Sequence, residues 1–159
     1  MRIGDYLGAS QKLLEKYASI PSPKQPGTLK DFVLPTSMGE LSDGDLGNWL
    51  LQLGAWKGWL GVQLANIDSQ LSIMEDAYNL RLGSGMAKLE SASSKKILKE
   101  GIRAMAIEQD EELGRLDLDV SILRAEKQLL KGRFELFDNL FGTISRVITL
   151  RGQERMREV

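Results

Sequence analysis

The fold is decided by residues 113–151, which read LGRLDLDVSILRAEKQLLKGRFELFDNLFGTISRVITLR. Apolar residues recur there in steps that alternate between four and three, the heptad pattern that lets one helix lie along another. The positions of this seam are Leu116, Val120, Leu123, Lys127, Leu130, Phe134, Phe137, Phe141, Ile144, Ile148 and Arg151. Only Lys127 and Arg151 interrupt its apolar run. The stripe is widened by the flanking residues Leu129, Leu136, Leu140 and Val147. So broad a face must be buried against several helices, either within the chain or between copies of it.

The composition narrows the classes of function. The chain has 159 residues, enough for one domain with a core, and a net charge of -1. Global charge therefore gives no argument for a nucleic-acid partner, and only local clustering of basic residues could. Cysteine and histidine are both absent, which excludes thiolate chemistry and removes the commonest general base and metal ligand. We predict a protein that is not an enzyme and that uses no cofactor or metal.

The sequence shows neither a signal-peptide pattern nor a membrane-spanning pattern. The first residues lack the apolar run of a signal peptide. No stretch approaches the roughly 20 apolar residues that a membrane span needs. The expectation is a cytoplasmic protein without a membrane partner, in the host cytoplasm if the protein is viral.

The N-terminal part, residues 1–41, reads as a short helix followed by an arm. Residues 4–18 suit a short amphipathic helix, and the prolines of Pro21–Gly27 favour an extended linker. The apolar triplet Phe32–Leu34 could dock on a neighbouring surface or fold back on its own bundle. Residues 42–159 form the predicted helical domain.

A first long helix is predicted from Asp45 to about Leu82, with Ser42 or Asp43 as its N-cap. Gly83 and Gly85 are expected to stop it. Four glycines share roughly one side of this helix, namely Gly47, Gly54, Gly58 and Gly61. Because each glycine weakens a helix, their clustering predicts that another backbone approaches closely on that side.

A second, shorter helix is predicted over residues 95–112, and Gly114 marks either a break or a bend before the last helix. The first and last helices have matched lengths, which favours an antiparallel hairpin. The predicted fold is all-α: an elongated helical hairpin or bundle of two long helices with a shorter middle helix, preceded by an extended N-terminal arm.

Three groups of residues could carry chemistry. An acidic cluster comprises Glu108, Asp110, Glu111, Glu112, Asp117 and Asp119, and it is interpreted either as a metal site or as a solvated helix face. A basic cluster comprises Lys88, Lys95, Lys96, Lys99 and Arg103, and it suits either a phosphate track or a solvated lysine face. Trp49, Trp56 and Trp59 could stack on bases or be buried in a helix interface.

The order of these features resembles the UvsY-like recombination mediators of tailed phages. A long helix ends in an aromatic residue and a glycine turn at Ala77–Gly85, and a lysine-containing segment follows from Lys88 to Lys99. The last helix then carries the rest of the pattern, at Asp117–Asp119, Lys127, Leu130–Gly132 and Ile144–Arg146. The resemblance covers about residues 45–155.

This resemblance implies a ring-shaped homo-oligomer that binds single-stranded DNA, with a RecA-type recombinase and a single-strand-binding protein as partners. The mediator helps load the recombinase and catalyses nothing itself. The residues expected to bind DNA are Arg81, Lys88, Lys95, Lys96, Lys99 and Arg103. Assembly is expected to use Leu130, Phe134, Phe137, Phe141, Ile144 and Ile148.

A different class explains the broad apolar faces and the missing catalytic residues equally well. This alternative is a structural or assembly protein, such as a phage virion or scaffold component built from helical hairpins. It would not bind DNA. The two hypotheses therefore differ in whether single strands bind with a steep salt dependence.

Overall fold

The computed structural model describes residues 8, 12, 15, 16, 23–27, 37–92 and 98–157. A single 3-10 turn at Met38–Glu40 precedes three α-helices, α1 (Asp43–Ala92), α2 (Lys99–Gln109) and α3 (Glu111–Arg157). These ranges contain no β-strand. The prediction of an all-α chain with two long helices and a shorter middle one is confirmed. Phe32–Leu34 lie outside the described residues, as does the predicted N-terminal helix apart from residues 8, 12, 15 and 16, which are helical.

Helix α1 begins where the sequence predicts it. The backbone amide of Asp45 donates to Ser42 Oγ over 3.1 Å, and Ser42 Oγ donates to Asp45 Oδ2 over 2.6 Å. The Leu46 amide closes the first turn on the Ser42 carbonyl at 3.0 Å. Ser42 is therefore the N-cap, since its side chain satisfies an amide that has no partner within the helix.

The predicted end of this helix is wrong. Helix α1 does not stop at Gly83 and Gly85 but continues to Ala92. Leu82, Met86 and Leu89 pack against a buried cluster, and a Cβ on Gly85 would lie 3.4 Å from the Ala106 Cβ. Burial of these apolar side chains outweighs the roughly 1 kcal/mol that each glycine costs a helix.

The boundary before the last helix also differs from the expectation at Gly114. The chain leaves helical geometry at Asp110, with φ -122° and ψ 95°, and α3 begins at Glu111. Gly114 lies inside α3, and its amide donates to the Asp110 carbonyl over 3.0 Å. Asp110 is thus the last residue before α3 and, as shown below, its cap.

Contacts divide the chain into two units, and each has its own core. In Ala65–Gln128 the buried cluster comprises Leu71, Tyr78, Ala106, Leu113, Leu116 and Val120. Within this unit α1 and α3 run antiparallel, because Asp68 pairs with Lys127 and Glu75 with Arg124.

The other unit comprises Pro21–Leu64 and Leu129–Val159, and its buried cluster comprises Leu46, Leu53 and Ile144. Here too the helical segments are antiparallel, since Asp43 pairs with Arg151 and Lys57 with Asp138. Trp56 stacks on Phe137 with ring centroids 6.0 Å apart, and the edge of Trp59 meets Trp56 at 5.6 Å. The tryptophans are half-buried, so helix packing rather than full exposure accounts for them.

Within the described part of the chain, side chains rather than a second backbone lie against the glycines of α1. A Cβ on Gly54 would lie 3.6 Å from Phe141 Cε2, and one on Gly61 would lie 3.6 Å from Phe134 Cε2. A Cβ on Gly58 would lie 3.7 Å from Pro23 Cγ, and one on Gly47 would meet nothing within 4 Å. No described backbone atom outside α1 therefore comes within 4 Å of these four positions.

Among the described helices, none combines the length and the hydropathy that crossing a membrane requires.

Candidate nucleic-acid interface

Arg81 is the most strongly engaged of the residues predicted to bind DNA. Its Nε donates to Asp110 Oδ2 over 2.6 Å and its Nη2 to Asp110 Oδ1 over 2.8 Å, while its Nη1 pairs with Glu112. This fork is the strong geometry for an arginine and a carboxylate. The hydrogen bond from Arg81 lowers the pKa of Asp110, against the opposing effect of burial, and the same bond raises the pKa of Arg81. A phosphate would have to displace two carboxylates to reach this guanidinium.

Asp110 also caps α3. Its Oδ1 accepts the backbone amides of Glu112, at 3.1 Å, and of Leu113, at 3.2 Å. Asp110 therefore joins Arg81 of α1 to the first turn of α3. Leu113 lies in this turn and is fully buried, so the Asp110 bonds hold a core residue in place.

Arg103 is held in a similar way. Its Nη2 donates to Tyr78 Oη over 3.0 Å and lies 3.9 Å from Asp117 Oδ1, and its guanidinium carbon is 5.9 Å from the centre of the Tyr78 ring. Tyr78 is buried, and burial together with the hydrogen bond to Asp117 raises its pKa. Arg103 thus links α2 to α1 and α3 while keeping about half of its side chain exposed.

Lys88 and Lys99 differ from Arg81 and Arg103 in their ion pairing. Both are exposed, and neither makes an ion pair with any residue in the described part of the chain. Lys88 lies in the last turn and a half of α1, and Lys99 is the first residue of α2. Lys95 and Lys96 lie between them, outside the described residues.

Every other described lysine or arginine between residues 65 and 128 has a carboxylate within 4 Å, and these residues are Arg81, Arg103, Arg115, Arg124 and Lys127. Acidic residues outnumber basic ones by twelve to seven over residues 65–92 and 98–128. Among the described basic residues between 65 and 128, those without a carboxylate within 4 Å are therefore Lys88 and Lys99.

Four members of the acidic cluster have structural partners. Asp110 and Glu112 hold Arg81, Glu111 pairs with Arg115 one helical turn away, and Asp117 lies beside Arg103. In the part of the chain that the structure describes, no three carboxylates are placed to hold a metal ion.

An open groove of about 730 Å³ runs past Lys88, Leu89, Gln109 and Arg115, and the carboxylates of Asp110, Glu111 and Glu112 line it as well. Its mixed charge does not select an anion.

The residues predicted to carry assembly pack within the chain. Ile144 is buried with Leu46 and Leu53, and Phe137, Phe141 and Ile148 lie against this cluster. The Phe134 ring lies 5.9 Å from Lys57 Nζ and 3.6 Å from the position that a Cβ on Gly61 would take. Leu130 is half-buried. A further role of these side chains between copies stays a prediction.

Sequence reasoning missed what Arg151 does. Its Nη1 donates to the Leu41 carbonyl over 2.7 Å and to Asp43 Oδ1 over 2.9 Å, and its Nη2 donates to the Gly39 carbonyl over 2.7 Å. The hydrogen bond that Asp43 accepts from Arg151, together with that from Arg155, lowers the pKa of Asp43. Arg151 thus ties the end of α3 to the turn that precedes α1. Its position on the apolar seam could have indicated this role, because a partly buried charge needs an ion pair or hydrogen bonds.

No family model, curated protein or solved structure matches this chain. The resemblance to UvsY-like mediators therefore stays a prediction.

Proposed function

We propose that the protein is a recombination mediator, a homo-oligomer that binds single-stranded DNA and helps load a RecA-type recombinase. The observation that carries this proposal is the contrast between Lys88 and Lys99, which have no described ion-pair partner, and the paired cations around them. In the sequence, residues 93–97 lie between the two lysines and contain Lys95 and Lys96. Within the twelve residues 88–99 of the sequence, four lysines stand against a single carboxylate, that of Glu90.

The proposed binding is electrostatic and independent of base sequence. Lysine ammonium groups release counterions from the phosphate backbone, so affinity falls steeply as salt rises. Arg81 and Arg103 contribute mainly by holding α1, α2 and α3 together, because Arg81 already pairs with two carboxylates and Arg103 already donates to Tyr78. One protomer would bind weakly, and an oligomer that repeats the lysines would gain affinity through multivalency.

Fluorescence anisotropy of a labelled single-stranded oligonucleotide, titrated at two salt concentrations, tests this proposal. The expected result is salt-sensitive binding that the double variant Lys88→Glu/Lys99→Glu weakens, with a salt slope reduced by about one for each lost phosphate contact. The control Lys24→Glu/Lys131→Glu makes the same charge change at two other exposed lysines. No binding at low salt, or equal losses in both variants, would refute the proposal.

The mediator role adds two protein partners. A single-strand-binding protein would be displaced from DNA, and a RecA-type recombinase would then nucleate its filament. Recombinase filament formation on coated DNA should accelerate when this protein is added, and the Lys88→Glu/Lys99→Glu variant should not accelerate it.

A second candidate function is structural, and exposed leucines on α3 favour it. Leu129 is 70% exposed and Leu136 is 52% exposed although both are large and apolar. A scaffold or virion component would use such residues for assembly without binding DNA. The same titration separates the two functions, since a scaffold should leave the anisotropy unchanged at low salt.

A further inference from the structure

Helix α3 carries a second apolar stripe that is separate from the seam packed on α1. Four large apolar residues of this stripe are exposed: Leu118 by 60%, Ile122 by 54%, Leu129 by 70% and Leu136 by 52%. With Ala125 and Gly132, these residues follow one another in steps of four, three, four, three and four. Residues so spaced lie on one face of a helix and form the seam of a two-helix coiled coil.

Large and small residues alternate along the central part of this stripe. Ala125 and Gly132 occupy one class of heptad position, and Ile122, Leu129 and Leu136 occupy the other. An added Cβ on Gly132 would meet nothing within 4 Å. In an antiparallel pair of helices, the two classes of position face each other. Leu129 of one copy can then fill the space at Gly132 of a second copy, and Leu136 can fill the space at Ala125. A parallel pair would instead set Gly132 opposite Gly132 and leave a gap.

The charges beside the stripe favour the same direction. Glu126 and Arg133 flank it on one side, both are exposed, and neither has an ion-pair partner in the described ranges. The antiparallel register that places Leu129 on Gly132 also brings Glu126 of one copy beside Arg133 of the other. A two-fold axis repeats this opposite-charge pair on the far side of the crossing.

We infer that the face of α3 from Ile122 to Leu136 is the docking surface for a second copy of this chain, which binds in antiparallel orientation about a two-fold axis. The inference rests on the homo-oligomeric part of the proposed function and names its surface. It assigns assembly to side chains other than the buried Leu130–Ile148 seam. It does not depend on whether the protein binds DNA.

Sedimentation velocity over a range of micromolar concentrations, with thermal melting of each variant, tests the inference. The wild type should contain dimers, alone or within larger oligomers, and Leu129→Gln/Leu136→Gln should lose them while remaining folded. The control Leu51→Gln/Leu80→Gln makes the same change at exposed leucines of α1, which are 75% and 56% exposed. A monomeric wild type, or equal effects of the two double variants, would overturn the surface.

A charge swap tests the direction of pairing. Arg133→Glu should weaken association about 2- to 5-fold, because it sets Glu126 against a second carboxylate at both ends of the crossing. Glu126→Arg should do the same, and the double variant Glu126→Arg/Arg133→Glu should restore wild-type association. Single variants without effect, or a double variant that is weaker than either, would overturn the antiparallel register.

The DNA titration keeps the two proposals distinguishable. Dimers without DNA binding would refute the mediator function and leave the docking surface intact. DNA binding by a protein that is monomeric in sedimentation would refute the docking surface and the homo-oligomeric part of the proposed function, and it would leave the proposed DNA binding intact.

Discussion

Replacement of Asp110 by alanine should destabilise the protein through two separable effects. The Asp110 carboxylate caps α3 through the amides of Glu112 and Leu113, and it holds Arg81 in a bidentate pair. Loss of an N-cap costs about 1 kcal/mol, with a range of about 0.5–2 kcal/mol. The side chains of Arg81 and Asp110 are 35% and 33% exposed, so solvent screening limits their pair to about 0.2–1 kcal/mol. The expected total is about 1–3 kcal/mol.

Asp110→Asn separates the two effects. The asparagine side-chain oxygen can still cap α3, because asparagine and aspartate are equally good N-caps. The charge that faces Arg81 is lost, so this variant should be destabilised by only about 0.2–1 kcal/mol. The order of stability is therefore wild type, then Asp110→Asn, then Asp110→Ala.

Urea denaturation at fixed protein concentration measures these differences, and a thermal melt should shift by about 2–4 °C for each kcal/mol. Glu111→Ala is the matched control, since Glu111 is 82% exposed and its ion pair among the described residues is with Arg115 of the same helix. It should change stability by less than about 0.5 kcal/mol. If Asp110→Ala is as stable as Glu111→Ala, the assignment of Asp110 as cap and ion-pair partner is wrong.

The pH dependence of stability gives a second test of the same residue. The pKa of Asp110 is lowered in the folded protein, chiefly by the Arg81 hydrogen bond, from an unfolded value of about 3.9. A lowered pKa means that the stabilisation is fully present above about pH 3.9 and is lost as the pH falls through the folded pKa. Between these values the wild type should lose stability faster than Asp110→Asn. Parallel stability curves for the two proteins would contradict the pKa assignment.

Three further predictions concern the packing of the helices. Leu113→Ala should cost about 2–5 kcal/mol in urea denaturation because Leu113 is completely buried, and a cost below about 1 kcal/mol would contradict its place in the core. Gly54→Ala should raise stability by up to about 1 kcal/mol, since the new Cβ would meet Phe141 at an ordinary distance; a loss of stability would show that the ring cannot accept it. Arg151→Lys should cost about 1–2 kcal/mol in the same assay, because lysine lacks the planar guanidinium that reaches the Leu41 and Gly39 carbonyls from two separate nitrogens, and an unchanged midpoint would refute this role.

The helices themselves could be predicted because their signal is local. The steps of three and four from Leu116 to Ile148 describe one side of a helix, and Leu116, Val120 and Ile144 are buried as that pattern requires. The cap at Ser42 was also readable, since a cap depends on residues only three apart. Helix ends were less predictable. The cost of Gly83 and Gly85 is local, but the contacts of Leu82 and Leu89 that outweigh it come from other helices.

The candidate site also combines features that local sequence predicts with features that depend on distant residues. Sequence alone placed the basic cluster and its spacing, and it placed the two charges that interrupt the seam. It could not tell which cations are free, because their partners lie far along the chain. Arg81 meets Asp110 twenty-nine residues away, and Arg124 meets Glu75 forty-nine residues away.

The sequence by itself determined the class of the fold, the two long helices and the face that each buries, because helix periodicity repeats within a few residues. Only the tertiary structure decided that Arg81 and Arg103 have a carboxylate within 4 Å, while Lys88 and Lys99 have none among the described residues. It also decided that Leu129 and Leu136 stay exposed although they flank the seam. The physical reason is that pairing and burial depend on the register of one helix against another, and side-chain contacts set that register only when the chain folds.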